Sequence, residues 1–234
     1  MKNTAQQFWE LLYLFEDYLT GGYEQQREVP LLSLPGDACC DEKKACFSEA
    51  ADEMKILEKE ILTCRKCGLC GTRHLAVPGE GVLCPSVVVI GEGPGAEEDR
   101  TGRPFVGAAG KYLDKWLSAI DGDRNTNCYI CNLVKCRPPG NRDPEEDEIE
   151  ACLTYLVRQL DLLKPKVILA AGRIASQRLT GLDSGIGILR GKVYDFKGIP
   201  VVPTYHPSAV LRNQDLRRPV WEDLKQLQIL LSGR

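Results

Sequence analysis

The sequence predicts a three-layer α/β/α fold with a central, mostly parallel four-stranded sheet, preceded by a helical N-terminal extension. Three observations carry this. Short apolar runs recur at 87–90, 128–131, 167–170 and 199–202, and helix-like segments separate or follow them at about 107–120, 145–163, 172–180 and 218–231. The runs are unbroken rather than alternating, as in strands covered on both faces. Strands that alternate with helices pair in parallel, with the helices packed on the two sides of the sheet.

Taken in order, the first 55 residues form the extension and 56–234 the body. Phe8, Leu11, Leu12 and Phe15 fall on one helical face, a stretch with Gly21, Gly22, Pro30, Pro35 and Gly36 reads as a loop, and a second helix is expected around Glu49 to Leu62. In the body, Val87-Val88-Val89-Ile90 gives the first strand, and Pro144-Glu145-Glu146 opens the helix at 145–163, with Asp143 as the expected N-cap.

The formal net charge is −3, a balance that by itself argues against a nucleic-acid binder. The sum hides two unlike parts. Residues 1–63 carry 6 basic and 13 acidic side chains, a balance of −7, and the remaining 171 carry 24 and 20, or +4. Acid concentrated in the extension suits a solvated arm, a protein partner or a shield over a basic face. At 43% hydrophobic and 27% charged, the chain is not disordered throughout. No apolar run nears the roughly 20 residues of a membrane span, and Glu10, Glu16 and Asp17 do not fit a basic-then-apolar targeting layout. A cytoplasmic monomer that does not enter the membrane is expected.

Eleven cysteines in such a chain point to metal ligands or buried thiols rather than disulfides. Cys64 and Cys67 form a Cys-x-x-Cys pair, and Cys136 with Cys152 would close a four-sulfur site. Cys84, Cys128 and Cys131 read as ordinary buried thiols, while Cys39, Cys40, Cys46 and Cys70 are open in role.

The polar residues that interrupt apolar surroundings share one kind of place. Glu92, Asn132, Gly172 and His206 each follow a strand, and in parallel sheets the carboxyl ends of strands face a common ligand crevice. The turn Gly91-Glu92-Gly93-Pro94-Gly95 would let backbone amides approach a ligand closely, yet it matches neither dinucleotide nor P-loop patterns. Phe105, between a proline and a small loop segment, is a candidate stacking platform.

From about Cys64 to Leu227 the chain resembles the family 4 uracil-DNA glycosylases, the iron-sulfur branch of the uracil-DNA glycosylase superfamily. The resemblance rests on CRKC at 64–67, GEGPG at 91–95, GRPFVG at 102–107, CNLVKCRPPGNRDP at 131–144, Cys152, LRGK at 189–192 and TYHPSAVLRN at 204–213. It implies a [4Fe-4S] cluster on Cys64, Cys67, Cys136 and Cys152, for which zinc is the chemical rival. A uracil pocket would be formed by Gly91, Glu92, Gly93, Phe105, Asn132 and His206, with Glu98 near uracil C5. Glu92 and His206 would be catalytic. Arg190, Lys192 and Arg212 would contact the backbone of uracil-containing DNA, single- or double-stranded, and Val210 or Leu211 would fill the gap left by a flipped base. Two other readings are a related glycosylase for other deaminated bases, and a metal-stabilised DNA-binding module without catalysis.

Overall fold

The computed structural model describes residues 38–232, with side chains from Glu49 onward; the expected helix around Phe8 and the cysteines at 39, 40 and 46 lie outside that description. The sheet and its two cores lie within Glu42–Arg234.

The sheet has six strands rather than four. The predicted strands are β2 (Val87–Gly91), β3 (Cys128–Asn132), β4 (Val167–Ala171) and β6 (Ile199–Thr204), parallel throughout. Two short antiparallel strands flank them: β1 (Glu80–Gly81) beside β3, and β5 (Tyr194–Phe196) beside β6, in the order β1-β3-β2-β4-β6-β5. Neither addition carries an apolar run. Each is two or three residues long and partly exposed, so hydropathy patterning passes over it.

The apolar residues of the parallel strands alternate between two cores, as the period of two requires. Val88, Ile90, Cys131, Ile168 and Ala170 face Met54, Leu57 and Ile61 of α1 (Ala38–Leu62), together with Leu156 and Leu160 of α4 (Glu146–Leu163). Val87, Val89, Ile130, Leu169 and Val202 face Leu113 and Leu117 of α3 (Ala108–Ser118) and Leu224 and Leu227 of α8 (Arg217–Ser232). Each fully buried aliphatic side chain contributes about 1.5–3 kcal/mol, so this pairing fixes which face of each strand turns to which helical layer. Helix α1 passes through residue 55 without a break.

The remaining helices are α2 (Ala96–Thr101), α5 (Arg173–Thr180), α6 (Ile186–Leu189) and α7 (Pro207–Arg212). At α4 the N-cap is Glu145, not Asp143. Glu145 and Glu148 form a reciprocal capping box, and Asp143, two residues upstream, pairs with Arg173 instead. Among the described residues no helix is long and apolar enough to cross a membrane.

Candidate active site

The carboxyl ends of β2, β3, β4 and β6 open on one cleft of about 480 Å³, whose lining includes Glu92, Phe105, Asn132, Gly172 and His206. Gly93 and Glu98 also line it, while Gly91 lies beneath. Glycine is required at position 91 because of close approach: a Cβ there would sit 2.4 Å from Asn132 Oδ1 and 2.7 Å from Phe105 Cζ. The amide and the ring therefore share the space directly over the end of β2.

Asn132 is 2% exposed, and among the described residues its side-chain amide takes no hydrogen-bond partner, although it lines the cleft. The residue as a whole is buried while its amide opens on the cleft, so one acceptor and one donor group are free for a ligand. Its backbone is held from below: Lys135, 1% exposed, donates from Nζ to the Asn132 carbonyl at 2.8 Å and to Gln159 Oε1 at 2.7 Å. Sequence reasoning missed this lysine, and its place between Asn132 and Cys136 was the only signal.

His206 caps α7. Its Nδ1 accepts the Ser208 backbone N–H at 3.2 Å and lies 2.7 Å from Ser208 Oγ. An Nδ1 that accepts an N–H carries no proton, so the neutral ring presents Nε2–H as its donor. Burial and the nearby Arg212 push the imidazole pKa down to about 4, against the opposing pull of Glu98, and the ring is neutral at physiological pH. Phe105 packs beside it, with ring centroids 5.6 Å apart and planes tilted by 35°.

Glu92 has the opposite displacement. Burial and the Asp143 carboxylate push its pKa up to about 6, while Arg173 pulls it down. At neutral pH the cleft therefore holds a carboxylate and a neutral imidazole. Arg142 and Arg173 also line it; sequence reasoning passed over both, although Arg142 stands within the 131–144 motif. Glu98 is turned largely to the protein: Oε1 accepts the N–H of Val106 at 2.9 Å and of Gly107 at 3.1 Å, fixing the turn that carries Phe105.

The residues expected to contact DNA separate. Arg212 lines the cleft, Lys192 is exposed, and Leu211 is 45% exposed. Val210 is 1% exposed and belongs to the second core, so it is unsuited to filling a gap in DNA. Arg190 is likewise turned away from phosphates. It grips Asp223 at 2.9 and 3.0 Å and the Pro219 carbonyl, because the fully buried Asp223 carboxylate needs a partner.

On the face of the sheet covered by α1 and α4, Cys64, Cys67, Cys136 and Cys152 all belong to or pack against one core. Arg73 Nη1 lies 2.9 Å from Cys136 Sγ, and its Nη2 donates to the Cys64 and Leu62 carbonyls. Burial raises the thiol pKa of Cys67, Cys136 and Cys152, that of Cys136 to about 11, so metal binding would have to displace protons. Among the described residues no three His, Cys, Asp or Glu side chains are gathered tightly enough to clasp a single metal ion. The donor set, four soft thiols with a cation alongside, fits an iron–sulfur cluster, and zinc by the same thiolate chemistry.

The sequence model of the Uracil DNA glycosylase superfamily matches residues 78–225, a span that includes the whole cleft. The chain belongs to this superfamily. Within it, the chain is 45% identical to the type-4 uracil-DNA glycosylase of Sulfurisphaera tokodaii, over 76% of this chain and 85% of that one. Similarity is equally high, 45%, to the type-4 uracil-DNA glycosylase of Thermotoga maritima, over 76% and 95%. It falls to 33% over 56% and 65% for a type-5 uracil-DNA glycosylase of Pyrobaculum aerophilum. Superfamily membership and the type-4 likeness thus rest on most of the chain.

Proposed function

We infer that the chain is a DNA-repair hydrolase that removes uracil from DNA, breaking the N-glycosidic bond with water and leaving an abasic site. The observation that carries this reading is the unpartnered amide of Asn132 at the floor of the cleft, under the edge of Phe105 and beside a neutral His206.

Uracil offers N3–H and an O4 acceptor. An asparagine amide matches both, its C=O accepting from N3–H and its NH2 donating to O4. Cytosine presents the reverse pair. Each buried polar group left mismatched costs about 1–3 kcal/mol, which supplies the discrimination. Phe105 would stack on the extruded base, and Leu211 would enter the gap left in a duplex.

When the glycosidic bond breaks, its electron pair leaves with the base, and the sugar becomes oxocarbenium-like. The His206 Nε2–H donates a hydrogen bond to the O2 where negative charge gathers, with no need to transfer its proton. Glu92, ionised above about pH 6, supplies negative charge toward the sugar and can accept a proton from the water that adds to it. Arg212, at the cleft, and the exposed Lys192 would contact phosphates, so binding should weaken with salt.

Cys64, Cys67, Cys136 and Cys152 would hold a [4Fe-4S] cluster, which supplies iron–thiolate bonds that cross-link three segments of the chain. Iron and sulfide analysis of anaerobically purified protein, against zinc in the same sample, tests this assignment. For the reaction, uracil-containing single- and double-stranded oligonucleotides are incubated with the protein and abasic sites are cleaved with alkali. Strand scission is expected on uracil and not on cytosine. Full activity and discrimination in Asn132→Ala would sink the pocket assignment.

A further inference from the structure

The backbone of Phe105 is held in an unusual conformation from two sides. Its φ is 51°, the left-handed region, which an aromatic residue adopts only when its surroundings impose it. On the C-terminal side Glu98 takes the amides of Val106 and Gly107. On the N-terminal side a residue outside every motif does the complementary work. Arg124, in the connection between α3 and β3, donates from Nη1 to the Pro104 carbonyl at 3.2 Å and from Nη2 to the Phe105 carbonyl at 3.1 Å.

The arginine is itself fixed. Its side chain is 11% exposed, and Nε and Nη2 both reach Asp114 Oδ1 of α3, at 3.1 and 2.6 Å; Nη1 lies 3.7 Å from Glu80 of β1. The Phe105 carbonyl has no room to retreat. A Cβ on Gly110, in the first turn of α3, would stand 1.8 Å from that oxygen. The ring that these contacts orient lies over Gly91, beside Asn132 and His206.

We propose that Arg124 is a positioning residue for base recognition: its guanidinium fork sets the Pro104–Phe105 backbone so that the Phe105 ring is presented to the flipped base. The proposal deepens the uracil-pocket reading and rests on it. A lysine could keep a charge near Asp114 but could not span two carbonyls and a carboxylate at once, because it lacks the fixed planar fork. Arg103, which pairs with the same Glu80 but touches no carbonyl of the turn, is the natural control.

The test is a double-mutant cycle in the full chain, read as the inhibition constant of free uracil and as kcat and KM on a single-stranded uracil oligonucleotide. Phe105→Ala should weaken uracil binding at least fivefold, the scale of a lost stacking contact. Arg124→Met should raise the inhibition constant and KM together by about fivefold, with kcat changed less, and Arg124→Lys should fail to restore them. In the Phe105→Ala background the same Arg124 substitution should add less than about twofold, and Arg103→Gln should have no effect in either background. Equal losses in both backgrounds, or rescue by lysine, would overturn the positioning role while leaving stacking intact. An unchanged uracil constant in Phe105→Ala alone would overturn stacking and this proposal with it. Should Arg124→Met fail to accumulate, Arg124→Lys in the two backgrounds carries the same comparison.

Discussion

At the cleft, Glu92, Asn132 and His206 sit just at or beyond the ends of strands whose own residues are buried, and no hydrogen bond among the described residues joins one of the three to another. At the cysteine nest the converse holds: Cys136 and Cys152 are buried in an apolar core, with Arg73 against Cys136. The cleft is shaped by the backbone before anything binds. In the nest, burial raises the thiol pKa of Cys67, Cys136 and Cys152, so those three protons would have to leave before a metal could bind. One stretch of chain, 131–142, serves both: Asn132 and Arg142 reach the cleft and Cys136 reaches the nest, with Lys135 between them. The sheet supplies the cleft's precision, and on the proposed metal assignment the nest secures the segment that carries it.

The largest test of that division is Cys136→Ala. Loss of a metal cross-link should lower the melting temperature by roughly 10 °C, abolish iron-dependent absorbance, and carry glycosylase activity down with it. Activity intact in a protein without iron would break the link between the two regions.

Next is Glu92→Gln, which should reduce kcat on the order of 100- to 1000-fold without unfolding the protein. Its stability should rise. A carboxyl whose pKa is raised by folding stabilises the native state fully below its ordinary value of 4.5, and that contribution is lost as pH climbs through about 6. Above pH 6 the glutamine variant should gain about 1 kcal/mol after allowance for solvent screening, seen as a melting temperature a few degrees higher.

The same carboxyl predicts the pH profile. The value of kcat/KM should fall about tenfold per unit below pH 6 and stay level from there to pH 8, because His206, with its pKa near 4, does not titrate in that range. In the Glu92→Gln background, where the opposing carboxyl is absent, the His206 contribution to folding stability should decline as pH drops from 6.5 toward 4, where the unfolded chain binds the histidine proton and the native state does not. An acid limb near pH 6 that survives in Glu92→Gln would reassign the group.

The smallest effects separate two neighbours. Val210→Ala should cost about 1–2 kcal/mol of stability, measured by denaturant titration, with activity per folded molecule unchanged. Leu211→Ala should leave stability alone and lower activity a few-fold on double-stranded substrate only.

The parallel core was legible because strands buried on both faces write themselves as apolar runs, and the strand-end rule then gathered Glu92, Asn132 and His206 from three distant segments into one cleft. What was not legible depended on contacts far apart in sequence. Arg190 reads as a free cation until Asp223, on α8, folds against it. Val210 and Leu211 are equally apolar in sequence, and only the packing of α7 buries the first and exposes the second. Arg124 and Lys135 work by donating to backbone carbonyls, which every residue possesses and no motif encodes.

The two short strands at the margins of the sheet bear on how this protein behaves in a crowd. Without β1 and β5, the parallel strands β3 and β6 would each present an open row of backbone donors and acceptors to any passing chain. Two residues on one side and three on the other cap those rows and offer too short a template for further pairing. The template for fibre-like, edge-to-edge pairing is thereby shortened at both margins by the least conspicuous elements of the fold.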